Sequence, residues 1–277
     1  MLCVAFIVGI ILALRAAPAE GIKQDYLYDL FIIAIVLSLI GSRMAYVILN
    51  WELYSGGPWQ KIFAFREGGL TFLGGLILPL AGAVFYCRYR KIRFLRYVDF
   101  LTPYVALGYA ITRIGCFLNG CCYGKVTDVH WGVVFPAVDE FHRHPTQLYA
   151  VCTVFIIFLL LRVLKKHKTF HGFVFAHFIL FYGIYRFVIE FFRVDAPVLG
   201  FMTPGQIASA VLIIAGGLFL HYGKNNNAEC RMQNAELDGN VLDDNLEWGM
   251  GNGELNGNEQ LDDNEQLNDE TESEDLF

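Results

Sequence analysis

Three arginines, Arg43, Arg113 and Arg186, lie inside otherwise apolar stretches of this 277-residue chain. A guanidinium stays protonated at physiological pH and presents a planar fork of N–H donors that fits the oxygens of a phosphate or carboxylate. Setting such a group among apolar neighbours is costly, so it marks either a place where an anion is held or a side chain that snorkels to a wet surface. Arg186 belongs to a larger set. Tyr182, Arg186, Glu190 and Arg193 are spaced i, i+4, i+8 and i+11, so on a helix they share one face carrying a phenol, two cations and an acid. An Arg186–Glu190 pair would neutralise two embedded charges, and its carboxylate could still take a proton when a substrate disturbs the pair.

Cys116, Cys121 and Cys122 sit close together in the run Arg113-Ile-Gly-Cys-Phe-Leu-Asn-Gly-Cys-Cys-Tyr-Gly124. Zinc would need a fourth ligand, such as His130, in a closed tetrahedral site. A disulfide between Cys116 and one of the pair, or thiols that only pack, are the other readings. Gly115, Gly120 and Gly124 suggest a tight loop whose N–H groups can face an anion. Gly68-Gly69 and Gly74-Gly75 open an apolar stretch, where absent side chains serve close approach of a substrate or packing between helices. His144-Pro-Thr-Gln147-Leu-Tyr149 and Met202-Thr-Pro-Gly-Gln206 each set a proline in a first helical turn. Capping leaves the glutamine one turn into each segment unexplained.

The elements that must position these groups are membrane helices. With 55% hydrophobic and 17% charged residues and a mean hydropathy of +0.43, the chain is no ordinary soluble globule, in which about a quarter of residues are charged. Seven stretches, 1–17, 27–49, 68–87, 97–117, 145–163, 171–192 and 203–222, approach or meet the roughly 20 residues that cross a hydrocarbon core of about 30 Å. The first is the weakest, since Arg15 interrupts it. Ala17-Pro18-Ala19 has the form of a signal-peptidase site, yet the positive charge follows the apolar stretch instead of preceding it, so a span is the better reading. The expected fold class is all-α, a polytopic membrane protein with about seven transmembrane helices.

With the N-terminus outside, 13 Lys and Arg residues fall on the inner side and five (Lys61, Arg66, Lys125, Arg143 and Arg193) on the outer side, which orients the C-terminus inward. Counted from inner starts near Leu27, Tyr97 and His171, the three embedded arginines then lie roughly 23–24 Å toward the outside. Like charges at one level call for an anion among them. A phospholipid headgroup is the anion available there.

Residues 1–223 carry 19 Lys and Arg against 11 Asp and Glu, whereas residues 224–277 carry 2 against 16. The chain therefore divides into a transmembrane domain, 1–223, and an acidic segment, 224–277. That segment, with near-repeats at Leu242-Asp-Asp-Asn245 and Leu261-Asp-Asp-Asn264, has too little apolar surface to fold and reads as a disordered cytoplasmic tail. It lacks the ligand spacing of an EF-hand loop.

Six segments in order carry a family resemblance: Gly41-Ser-Arg43 with Tyr46; Gly68-Gly-Leu-Thr-Phe-Leu-Gly-Gly75; Arg113-Ile-Gly-Cys-Phe-Leu-Asn-Gly120; His144-Pro-Thr-Gln-Leu-Tyr149; Tyr182 with Arg186 to Arg193; and Gly205-Gln206. Over nearly all of residues 1–223 the chain resembles the bacterial prolipoprotein diacylglyceryl transferases. The resemblance implies seven helices in a bacterial inner membrane. It also implies transfer of the diacylglyceryl group of phosphatidylglycerol to the lipobox cysteine of secreted precursors, with glycerol phosphate leaving. Its partners would be phosphatidylglycerol, the lipobox region and membrane lipids, with no nucleic acid, cofactor or metal. By position, Arg113 and Arg186 match the family's central arginines, Tyr182 and Glu190 its tyrosine and acid on one helix, and Arg43, Asn119 and Gly124 recurrent positions.

The expected catalytic set is Arg113, Arg186, Glu190 and Tyr182, with His144 as reserve base. The substrate-binding set is Arg43, Arg113, Gly68, Gly69, Gly74, Gly75, Asn119, Gly124, Gln147 and Arg193. Several positions depart from the family pattern: Leu73 replaces a common His, Cys116 a usual Asn, Cys121 a usual Glu, and Ala150 a common acid. Two alternatives accompany this reading. One is a non-catalytic phospholipid carrier or flippase, although the halves show no repeat. The other is the same fold acting on a different acceptor.

Overall fold

The computed structural model describes residues 1–54, 68–69, 71–193 and 202–225. Among these residues seven helices carry the fold: α1 (Leu2–Ala16), α2 (Gln24–Leu49), α3 (Phe72–Tyr89), α4 (Phe94–Leu118), α5 (Thr146–Leu164), α6 (Phe173–Glu190) and α7 (Pro204–Asn225). A two-stranded hairpin, β1 (Val133–Val134) with β2 (His142–Arg143), lies between α4 and α5. Among the described residues six helices are long and apolar enough to cross a membrane, and α1, with 15 residues, is shorter. At 1.5 Å per residue α1 reaches only about 22 Å.

Large apolar side chains point outward, with Phe72 80%, Phe85 73% and Ile48 67% exposed. Small residues and aromatics fill the inside. One buried cluster joins α4, α5 and α6 through Ala106, Ala110, Ala150, Val154, Tyr185 and Ile189. A second joins α1, α2, α3 and α4 through Ala13, Leu27, Cys87, Tyr97 and Phe100. A polytopic helical membrane protein has this arrangement, because lipid rewards apolar surface and helices meet through small side chains.

The α2–α3 crossing explains half of the glycine pairs. A Cβ on Gly41 would lie 2.3 Å from the Gly74 carbonyl oxygen, and one on Gly74 would lie 2.1 Å from that of Gly41. Gly74 is therefore a packing residue. The expected third span from 68 is corrected at its start: Gly68 and Gly69 have φ of +81° and +74°, which no right-handed helix accommodates. The helix begins at Phe72.

At the opposite end, Asp99 of α4 is 1% exposed. Its carboxylate accepts hydrogen bonds from the Gly172 N–H at 2.7 Å and the Phe175 N–H at 3.0 Å, and pairs with Lys168 Nζ at 2.7 Å. It caps the N-terminus of α6 with an acid from another helix, where the helix dipole favours negative charge. This contact fixes the register between α4 and α6, the helices that carry Arg113 and Arg186.

The described residues all fall within one unit, Met1–Asn227. Helix α7 continues through Lys224 and Asn225. The disordered tail read from the sequence lies otherwise outside the described residues.

Candidate active site

Arg43, Arg113 and Arg186 each lie in the last two turns of a helix, ahead of Leu49, Leu118 and Glu190 respectively. At 1.5 Å per residue that is within about 9 Å of the helix end. They divide between two helix pairs. Arg43 is 3% exposed on α2. Its Nη1 donates to the carbonyls of Gly68 at 2.7 Å and Gly69 at 3.3 Å. Its guanidinium also stands over the rings of Tyr46 and Tyr54, 5.8 and 5.7 Å from their centroids. The left-handed turn at Gly68-Gly69 thus serves to aim two carbonyls at Arg43. A Cβ on Gly69 would strike Tyr46 Cε1 at 2.5 Å.

Arg113 and Arg186 belong to α4 and α6. Arg113 Nη2 donates to Tyr109 Oη at 2.6 Å, and its guanidinium lies 4.7 Å from the centre of that ring. Tyr109 was not singled out from the sequence, although its i, i+4 spacing to Arg113 was there to be read. The Tyr109 ring meets Tyr182 edge-on, centroids 5.5 Å apart at 90°. Tyr182 is one turn before Arg186 on the same face of α6, so the tyrosine pair links the two arginine helices. Arg186 Nη2 approaches Glu190 Oε2 at 3.2 Å, and Arg193 Nε approaches the same oxygen at 4.0 Å.

Glu190 also organises the start of α7. Thr203 Oγ1 donates to Glu190 Oε1 at 3.1 Å. Thr203 and Gln206 form a reciprocal cap, with the Thr203 N–H donating to Gln206 Oε1 at 3.0 Å and the Gln206 N–H to Thr203 Oγ1 at 3.2 Å. Gln206 is thereby explained as a capping residue. A Cβ on Gly205 would lie 2.4 Å from Glu190 Cδ, so glycine is what lets α7 approach the acid.

The loop after α4 is held by the start of α5 and the end of α6. The Gly124 N–H donates to the His144 carbonyl at 2.9 Å, and the Lys125 N–H to the Phe192 carbonyl at 2.8 Å. Gly124 forms a bridge with Arg193. A Cβ on Gly124 would meet Phe192 O at 2.5 Å and His144 Cβ at 2.8 Å, which excludes any side chain. Gln147, 1% exposed, donates through Nε2 to the Cys121 carbonyl at 2.6 Å. Its Oε1 has no hydrogen-bond partner among the described residues. Thr146 Oγ1 donates to the Cys122 carbonyl at 2.7 Å. Asn119 caps α4 and is exposed. His144 Nδ1 lies 3.1 Å from Tyr149 Oη, which accepts from Trp131 Nε1 at 2.7 Å.

Arg143 braces this loop from the hairpin. It forms a bidentate pair with Asp139 through Nε and Nη2, and its guanidinium lies 5.0 Å from the Tyr123 ring centre. Its hydrogen bonds hold the Asp139 carboxyl below the ordinary value of 3.8. The cysteines of the loop are free thiols, and the Sγ atoms of Cys116, Cys121 and Cys122 all lie within 4.8 Å of one another.

Beside Arg113 the interior opens into an apolar cavity of about 480 Å³ bounded by α1, α2, α3, α4 and α6. Tyr109 and Thr112 form part of its wall, together with Phe6, Leu30, Val105 and Phe178. A fixed cation whose hydrogen-bond partner lines an apolar chamber suits a molecule with an anionic head and hydrocarbon chains. Of the expected substrate contacts, Gly74 serves packing, and Arg43 and Gln147 bind loop carbonyls. Arg113, Arg186, Tyr182 and Glu190 come together across α4, α6 and the start of α7.

Sequence comparison connects this geometry to known proteins. The family model described as "Prolipoprotein diacylglyceryl transferase" matches residues 1–222. A protein of Finegoldia magna is 35% identical over 217 residues, covering 78% of this chain and 86% of its own. One of Clostridioides difficile is 36% identical over 234 residues, covering 83% and 92%. One of Geobacter sulfurreducens is 36% identical over 224 residues, covering 78% and 86%. All three bear the name phosphatidylglycerol–prolipoprotein diacylglyceryl transferase.

Proposed function

The chain belongs to the prolipoprotein diacylglyceryl transferase family, and on that premise we propose that it moves the diacylglyceryl group of phosphatidylglycerol onto a cysteine thiol of prolipoproteins, with the apolar chamber beside Arg113 receiving the lipid. The protein is a membrane transferase. The acceptor is the lipobox cysteine of a secreted precursor, and the site faces the outside of a bacterial inner membrane. The N-terminus is outside and the C-terminus in the cytoplasm, as the distribution of Lys and Arg among the loops supports.

The observation that carries the reading is the junction at Arg113, where a half-buried guanidinium shares a hydrogen bond with a tyrosine that walls the apolar cavity. The acyl chains occupy that cavity, and the phosphate lies against Arg113 and Arg186. The acceptor sulfur, as thiolate, attacks the glycerol carbon that bears the phosphate ester. A C–S bond forms, the C–O bond breaks, and glycerol phosphate leaves with the bonding pair. Donors fixed beforehand near the leaving oxygens stabilise the charge that grows on them. Arg186 is drawn into this role as the phosphate competes with Glu190 for its fork. Glu190, released in part, is then placed to receive a proton, with Tyr182 beside it and His144 in reserve.

The reading is tested by incubating the purified protein with radiolabelled phosphatidylglycerol and a lipobox peptide. Thioether-linked diacylglyceryl peptide is the expected product. Binding of the lipid without any product would indicate a carrier instead.

A further inference from the structure

Three thiols meet one turn beyond Arg113, and nothing in the transfer described above uses them. Cys116 closes the last turn of α4, Cys121 and Cys122 lie in the loop that follows, and their sulfurs lie within 4.8 Å of one another. A zinc ion bound by three thiolates at about 2.3 Å holds its sulfurs roughly 3.8 Å apart in tetrahedral geometry. The three Sγ atoms therefore need only a small contraction to fit.

The turn that presents them is built, and built under constraint. Cys122 has a φ of +62°, a left-handed conformation unusual for a residue with a side chain. Gly120, at +66°, turns the chain just before it. The Cys121 N–H donates to the Cys116 carbonyl at 3.1 Å. The Cys121 and Cys122 carbonyls are each held by a side chain of α5, Gln147 and Thr146. These contacts fix the backbone; the Cys121 Sγ also donates to the Cys116 carbonyl at 3.6 Å, a bond it gives up on binding a metal. Thiols that merely pack have no need of a strained turn locked at two successive carbonyls.

The group ends at three donors among the described residues. Three protein ligands with the fourth position open are the mark of a catalytic zinc site, whereas structural sites close at four. Zinc deprotonates a coordinating thiol outright.

We propose that Cys116, Cys121 and Cys122 bind one zinc ion and that its fourth position takes the acceptor cysteine of the prolipoprotein as a thiolate. The proposal rests on the transferase reading and gives it the nucleophile. On coordination the acceptor thiol releases its proton, which passes through water to Glu190. Its sulfur then attacks the glycerol carbon, the C–O bond breaks, and glycerol phosphate departs. The thioether, a weaker ligand than the thiolate, leaves zinc with its open position restored. The cation also offsets most of the charge of three thiolates set beside Arg113.

The test uses the full-length protein purified in detergent. Zinc is counted per chain by mass spectrometry, then exchanged for cobalt, whose thiolate charge-transfer absorption counts sulfur ligands. One zinc per chain is expected, falling at least tenfold in Cys116→Ser, Cys121→Ser and Cys122→Ser and remaining in Cys3→Ser and Cys152→Ser. A lipobox peptide should raise the cobalt–thiolate absorption by about a third, as four sulfurs replace three, while the same peptide with serine for cysteine leaves it unchanged. Zinc-free protein that still forms thioether, a disulfide within the trio, or a cobalt spectrum indifferent to the cysteine peptide would each overturn the proposal. Metal content and spectrum are read without turnover. Protein that binds zinc and takes up the thiol yet makes no thioether supports the site and counts against the transferase reading instead.

Discussion

Arg113 reaches back one turn of α4 to Tyr109, its Nη2 2.6 Å from the phenol oxygen and its guanidinium over the same ring. The phenol spends one contact to aim the fork and leaves the other donors of the guanidinium for a phosphate. Tyr109 also walls the cavity in which hydrocarbon chains fit. On the proposed reading, head and tail sites of the donor lipid would therefore share one residue.

Tyr109→Phe keeps the ring and removes the hydrogen bond. A bond of this kind to a charged group contributes about 1.5–3 kcal/mol, so kcat/KM for phosphatidylglycerol should fall by about tenfold or more. Steady-state kinetics in mixed micelles check this. An unaltered kcat/KM would mean that Arg113 needs no such support.

Asp99→Ala should loosen the bundle far from the chemistry. It strips the Gly172 and Phe175 N–H groups and Lys168 of their shared acceptor, at a cost of about 1–3 kcal/mol. Asp99→Asn, which can still accept from the helix N-terminus, should lose less. Thermal midpoints of the two variants in detergent give the comparison.

Gly124→Ala would drive a methyl group into Phe192 O and His144 Cβ. Overpacking of this kind costs about 1–3 kcal/mol, and here it pries the cysteine loop from the end of α6. Both the thermal midpoint and the transfer rate should fall. Gly68→Ala is a useful contrast, since nothing lies within 4 Å of its added Cβ. Its penalty comes only from the φ of +81°.

The hairpin has an acid-sensitive pin. Asp139 is held below its ordinary pKa of 3.8 chiefly by its hydrogen bonds to Arg143. A lowered folded-state pKa means that the pair's contribution is complete above that ordinary value and is lost as pH falls through the depressed one. Wild type should therefore exceed Asp139→Asn in thermal midpoint at pH 7, and the gap should close below about pH 4. A gap constant down to pH 3 would show that the Asp139 charge is immaterial.

How much of this was legible in the sequence differs residue by residue. The helices were, because a bilayer demands long apolar runs. The Arg186–Glu190 pair was also readable, since helical spacing fixes its geometry. Arg43 docking on Gly68 and Gly69 was not, because it joins residues some 25 positions apart through a backbone turn, and carbonyls leave no trace in residue identity. Gln147 and Gln206 looked alike at the starts of two helices, yet one clamps the Cys121 carbonyl and the other completes a cap with Thr203. Only the surrounding chain separates those uses. Asp99 escaped notice for a similar reason: a lone acid near a helix start looks like a solvated end until α6 is set beside it.

The central claim is that Arg113 and Arg186 hold the phosphate while the C–O bond breaks. The most direct measurement is the rate of thioether formation from phosphatidylglycerol and a lipobox peptide in Arg113→Ala and Arg186→Ala, each checked for the folded state by its thermal midpoint. Losing a donor of this kind costs about 10²- to 10³-fold in rate, so both folded variants should fall by at least that much. Wild-type rates in both would contradict the account.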